Sequence, residues 1–269
     1  MTINRQKEVV HLFRQLIERY GNDIVIKGAF SLILNTIEKY PDISNRFTMD
    51  IDFYLKCEFA NFMESLVTSK ISTVGGEIYK FTKLRTPKKN SGGRIEAVAG
   101  EINAFIDVQI DEYLYPDAKT FDDIIVAITT PVSIAMDKMD AISKPKVIDR
   151  PKDLYDLFVI SLLYDIEFQE IISHRDFKIT GDFETFVEEW EMIKESYNRE
   201  EILIGLEQPD FDTLYIRVKE FVSPFIVSKE LTTKDLIWST TKGVWCGKEP
   251  TLQLSGSSIF ADRRKNKQQ

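Results

Sequence analysis

Six consecutive residues, Asp50-Ile51-Asp52-Phe53-Tyr54-Leu55, alternate between polar and apolar side chains. In an extended strand neighbours point to opposite faces, so Ile51, Phe53 and Leu55 share one side and Asp50, Asp52 and Tyr54 the other. At helical spacing the same apolar residues would scatter around the axis. The segment therefore reads as a strand with one buried face. Its two carboxylates stand roughly 6.6 Å apart along the chain. Such a pair can hold a divalent cation between its side chains, or it can decorate a solvent-facing strand.

The elements around this strand set its context. Val9, Val10, Phe13, Leu16, Ile17 and Tyr20 recur at helical spacing, which predicts a helix over 3–20 closed by Gly21-Asn22. A short strand follows at 24–26. Gly28 breaks it, and a helix is expected over 29–40, ended by Pro41. Alternation predicts further strands at 77–84, 94–99 and 101–110. In the last, Ile102, Ala104, Ile106, Val108 and Ile110 face one way and Phe105, Asp107 and Gln109 the other. After Pro131 the periodicity becomes helical, at 132–143, 151–164, 183–196 and 211–222. The expected fold class is α+β, an N-terminal mixed-sheet domain (1–130) followed by a C-terminal helical domain (131–262). A disordered basic tail is expected at 263–269.

Composition narrows the chemistry. With 35 Lys plus Arg against 43 Asp plus Glu, the net charge of −8 argues against a general nucleic-acid coat protein. The two cysteines, Cys57 and Cys246, have neither the spacing nor the histidine neighbours of a zinc site, and no disulfide framework is indicated. No apolar run approaches the roughly 18 residues of a membrane span, so a cytoplasmic location is expected. His11 and His174, the two histidines, both read as surface residues. Carboxylates are left to carry any chemistry.

Three further features bear on the acidic strand. Lys27-Gly28-Ala29-Phe30-Ser31 is a strand-to-helix turn whose glycine allows close backbone approach and whose helix start can present N–H groups to phosphate. Asp107 is a lone carboxylate within a strongly apolar strand, where burial is costly without a cation or donor; Asp111, on the same face at the strand's end, is the reserve candidate. Residues 80–94 hold Lys80, Lys83, Arg85, Lys88, Lys89 and Arg94 without one acid. They read as a basic hairpin suited to a phosphate backbone, or as a solvated loop.

The sequence G-A-F-S-L followed by R-F-T-M-D-I-D resembles the signature of DNA polymerase beta-type nucleotidyltransferases, and within them the AbiEii/AbiGii-type toxins. In that branch a G-G-[ST]-A-L turn precedes R-x-T-x-D-[IL]-D, and Arg46, Thr48, Asp50 and Asp52 match. Ala29 and Phe30 depart from it, standing where a second glycine and a small hydroxyl residue are usual, which leaves Ser31 to supply a hydroxyl. The resemblance extends to Ser133-Ile134-Ala135-Met136-Asp137-Lys138-Met139, similar to the family's lysine-bearing helix, and to Arg150-Pro151-Lys152-Asp153-Leu154-Tyr155-Asp156-Leu157, similar to its R-x-[KR]-D-x-x-D-L element.

The resemblance implies a nucleotidyltransferase that moves a nucleoside monophosphate from an NTP to the 3′ end of tRNA, as the toxin of a toxin–antitoxin pair with a cognate antitoxin. Asp50, Asp52 and Asp107 would hold Mg2+ (or Mn2+), and Gly28, Ser31 and Lys138 would cradle the triphosphate. Asp153 would orient Lys138 or the acceptor, and the basic stretch 80–94 would meet RNA. Two other readings stand beside this one. The acceptor could be a protein or a small molecule such as an aminoglycoside, or Ala29 and Phe30 could mark a catalytically degenerate binding subunit.

Overall fold

The computed structural model describes residues 2–88, 92–110, 116–174, 179–227 and 235–247. Lys89, Asp111 and the 263–269 tail lie outside the described residues. The chain opens with α1 (Thr2–Tyr20), whose Val9, Leu12, Phe13, Leu16 and Ile17 are buried on one stripe. Then come β1 (Ile24–Lys27), α2 (Gly28–Thr36), β2 (Asp50–Leu55) and α3 (Phe59–Thr68). The expected helix to Tyr40 stops at Thr36, and α3 is an element the sequence reading did not assign.

Five more strands complete the sheet: β3 (Lys80–Arg85), β4 (Gly93–Ala99), β5 (Ile102–Ile110), β6 (Asp117–Phe121) and β7 (Ile124–Ile128). Their order is β3-β4-β5-β2-β1-β7-β6. The sheet is mixed, because β2 runs parallel to β5 and antiparallel to β1, while β1 runs parallel to β7. Ile51 and Phe53, with Ile106 and Val108, turn inward to pack with α1 and α3 in a first apolar core. By alternation Asp50, Asp52 and Asp107 face the other way.

From Pro131 onward the structure is largely helical: α4 (Pro131–Ile142), α5 (Pro151–Leu163), α6 (Phe168–Ile172), α7 (Glu184–Glu188), α8 (Trp190–Arg199) and α9 (Phe211–Val227). At its centre α5 buries the eight consecutive positions from Leu154 to Ser161, with Tyr155, Leu157, Val159 and Ile160 fully enclosed in a second core. The helix expected over 183–196 is two helices that part at Glu189, where the backbone leaves the helical region, and Phe183, with φ 63° and its ring buried, stands before the first. A hairpin of β8 (Leu236–Ser239) and β9 (Val244–Gly247) was likewise not expected; Trp238 and Trp245 hold it to Phe221 of α9. The expected α+β class with a mixed sheet and a helical C-terminal region is what the structure has. Among the described residues no helix is long and apolar enough to cross a membrane.

α2 belongs to both cores. Phe30 stacks on Phe13 of α1 with ring centroids 4.0 Å apart, while Leu32 packs among the C-terminal helices. The start of α2 is thereby fixed beside the acidic face of the sheet.

Candidate active site

Register brings the acids together. Asp52 lies opposite Asp107 across the parallel β2–β5 pair and opposite Lys27 across β1–β2. Arg94 lies opposite Asp107 across β4–β5. Asp50, Asp52, Arg94 and Asp107 therefore share one face, and all four line a cleft of about 550 Å³. Its other wall comes from α4, α5 and α8, through Lys138, Arg150, Lys152, Asp153, Ser196 and Glu200.

Gly28 must be glycine at this spot. Its φ of +63° is left-handed, and a Cβ there would lie 2.3 Å from the Asp52 carboxylate. The turn and the acid fit each other because the side chain is missing. Gly28→Ala is expected to cost about 1–2 kcal/mol through the left-handed backbone alone, with more from displacing Asp52. Urea unfolding measures this, and an unchanged midpoint would mean that the turn relaxes freely.

Electrostatics at the acids is unbalanced. Burial pushes the Asp52 carboxyl up to about 6, against the pull of Lys27 and Lys138 and with help from Asp107 and Asp50. Burial and Asp107 also raise Asp50, while Arg94 draws it down. Burial is the first cause of both shifts, and a half-buried set of carboxylate oxygens is the donor chemistry hard divalent cations take. Arg94 offsets part of their charge. Its Nε donates to Asp107 Oδ1 at 2.8 Å and its Nη2 to Oδ2 at 2.5 Å, and Nη2 also reaches Asp50 Oδ1 at 3.4 Å. As they stand, no three His, Cys, Asp or Glu side chains among the described residues are grouped closely enough to hold a metal ion.

The helical wall centres on a buried charge network. Lys138 Nζ lies 2.5 Å from Asp153 and 2.9 Å from Asp156. Asp156 is fully enclosed and is also forked by Arg46, at 2.8 Å and 3.0 Å. Burial opposes the ammonium of Lys138, but Asp153 and Asp156 outweigh it and hold its pKa above the ordinary lysine value. Burial likewise opposes charge on Asp156, and Arg46 with Lys138 outweighs that and holds it below the usual carboxylate range. Neither Arg46 nor Asp156 had been assigned a role from the sequence, although both stand in the motifs quoted for the resemblance. Their i, i+3 pairing of Asp153 with Asp156 on one helix was the available signal.

Other expected site residues fall elsewhere. Ser31 is fully buried, its Oγ donating to the Thr129 carbonyl at 3.0 Å and pairing with Thr129 Oγ1 at 2.8 Å. It faces the protein interior, and Ala29 takes the position on the cleft. Lys80, Lys83, Arg85 and Lys88 are exposed on and just after β3, the edge strand. Arg94, expected with them, turns instead into the acids. His174 is half-buried, its Nε2 3.1 Å from Ser133 Oγ, rather than a plain surface residue. Cys57 and Cys246 are free thiols.

No curated protein matches the chain. Among solved structures, the Megavirus polyadenylate synthase is 16% identical with a TM-score of 0.38, over 58% of this chain; the chain spans only 31% of that protein's length. An antigenic nucleotidyltransferase-like protein from Paracoccidioides brasiliensis is 15% identical with a TM-score of 0.40, over 64% of this chain and 82% of its own. A family model described as nucleotidyl transferase AbiEii toxin, Type IV TA system, matches residues 12–225, which include both walls of the cleft. The chain thus belongs to the AbiEii nucleotidyltransferase toxin family.

Proposed function

We propose that this nucleotidyltransferase transfers a nucleoside monophosphate from an NTP to the 3′ end of a tRNA, using a divalent cation held by Asp50, Asp52 and Asp107. The observation that carries the reading is one cleft with carboxylates on its sheet wall and a charge-fixed lysine on its helical wall. When bound, Mg2+ or Mn2+ would offset triphosphate charge and make an acceptor hydroxyl more acidic. The hydroxyl oxygen attacks the α-phosphorus, the bond to the bridging oxygen breaks, and pyrophosphate leaves.

The chain's own groups account for the rest. An ammonium has three donors, and Lys138 uses two on Asp153 and Asp156, so its third is left for a phosphate oxygen in the cleft. Asp153 orients that ammonium. The first N–H groups of α2, beginning at Gly28 beside Asp52, have no partner within the helix and suit an anion. With Ser31 buried, these backbone donors replace the hydroxyl contact. A cognate antitoxin is the proposed protein partner, as the family description implies a toxin–antitoxin pair.

The acceptor assignment rests on β3. Arg85 pairs in register with Arg94, which pairs with Asp107, so the cationic edge and the acids lie along one row of the sheet. Two strand spacings separate β3 from β5, roughly 10 Å. An RNA end in the cleft would have its backbone nearest Arg85, in the row of the acids, with Lys80 on the same face farther along the strand; Lys83 pairs with Ile95 and so lies on the core side of the edge. Incubating pure protein with each α-labelled NTP, Mg2+ and either total RNA or aminoglycosides tests the reading: label should enter tRNA. Label on the antibiotic alone, or none anywhere, rejects it. Changing Lys80, Lys83, Lys88 and Lys89 to glutamine should weaken RNA labelling and flatten its salt dependence, by about 0.7–0.9 in log–log slope per lost phosphate contact. An unchanged slope would remove the strand from the interface.

A further inference from the structure

Arg94 bridges two of the three acids of the sheet wall, and the proposed reaction does not use it. Its guanidinium forks both oxygens of Asp107 and reaches Asp50 with the same Nη2. The ring of Phe105, on β5 beside Asp107, lies 4.9 Å from Cζ and supports the fork from one side. The arrangement follows from register, because Arg94 and Asp107 are direct cross-strand partners. Asp52, between the other two acids, has no contact with Arg94 among the bonds the structure forms.

We propose that Arg94 is a resident counter-cation of the acid cluster, a positioning residue that must release Asp107 and Asp50 before a divalent cation can use them. This rests on the metal reading above. A guanidinium and a divalent ion cannot share the same two carboxylates without repelling each other across a few ångströms in a partly buried site. The fork occupies both carboxylate oxygens of Asp107. Release is physically accessible: the Arg94 side chain is 38% exposed and that of Asp107 26%. Arg94 also lines the cleft, so its charge can turn to the phosphates of an incoming nucleotide. Metal loading and nucleotide binding are then coupled, since the nucleotide gives the freed guanidinium a new partner.

The test is Mn2+ titration by calorimetry, without nucleotide, of metal-stripped full-length protein and its Arg94→Gln and Arg94→Lys variants. Loss of the competitor should tighten Mn2+ binding in Arg94→Gln about tenfold, a modest value because the fork is half-exposed. Arg94→Lys, which keeps the charge without the fork, should fall between. Equal or weaker Mn2+ binding by Arg94→Gln overturns the proposal while leaving the metal reading intact. Absence of Mn2+ binding by all three proteins overturns both. If Arg94→Gln does not fold, Arg94→Lys carries the comparison, and wild type adds a reading without mutation. Its Arg94 Nε–Hε signal, assigned by its loss in Arg94→Lys, should shift on adding Mg2+; an unmoved signal at saturating Mg2+ counts against release.

Discussion

Asp52→Asn is expected to yield a protein that is more stable than wild type at neutral pH and nearly inactive. The carboxylate of Asp52 is charged at a place where burial and two other acids oppose charge, and its pKa is pushed up to about 6. A carboxyl with a raised pKa favours the folded state only while it is protonated. The folded protein therefore carries no penalty below about pH 4, accumulates it from pH 4 to 6, and bears all of it above that. The full penalty is about 2–3 kcal/mol, from the size of the displacement. Urea unfolding in EDTA at pH 8 and pH 4 should show asparagine ahead by about that much at pH 8 and level at pH 4. On the proposed reading transfer should fall about 1000-fold or more, because Asp52 would be one of the ligands of the cation that offsets charge on the triphosphate. A variant retaining a tenth of wild-type transfer, or one less stable than wild type at pH 8, would reject this account of Asp52.

The opposite outcome is expected at Asp156. Here the carboxylate is fully buried between Arg46 and Lys138, and its removal leaves two cations without their shared partner. Asp156→Ala should cost about 3–5 kcal/mol, a large share of the stability of an ordinary domain. Because its pKa is depressed, its contribution is complete above the ordinary carboxylate range and fades only as pH falls below about 4. The loss should therefore appear undiminished in unfolding measured at pH 6 and pH 8. A cost under about 1 kcal/mol at both values would show that water or a rearranged side chain replaces the carboxylate.

These two acids also show what the sequence could and could not disclose. Asp52 was legible, because strict alternation around it defines both a strand and the face it occupies. The sheet order was not legible, since alternation says which way a side chain points and not which strand lies beside it. That gap hid the pairing of Arg94 with Asp107, so the arginine was grouped with its sequence neighbours on the basic strand. Ser31 was misplaced for a related reason: a helix of nine residues packed between two cores buries most of its circumference, including polar positions. α3 had usable helical spacing in Phe59, Phe62, Met63 and Leu66. β6 had none, being a mostly polar edge strand tied to β7 by their hairpin and to α1 through Phe121 on Phe13. Phe183 adopts a backbone region that composition would assign to glycine, and only its tertiary burial explains it.

The sharing of α2 between two cores has a consequence for translation. The cleft draws on residues from Ala29 to Glu200, and the lysine wall is synthesised about a hundred residues after the glycine turn. A nascent chain that has exposed only the sheet carries the acids without Lys138 or Asp153, and α2 still lacks the helices that seat Leu32. A chain ended before α4 and α5 would hold the acids of the sheet without the opposite wall of the cleft.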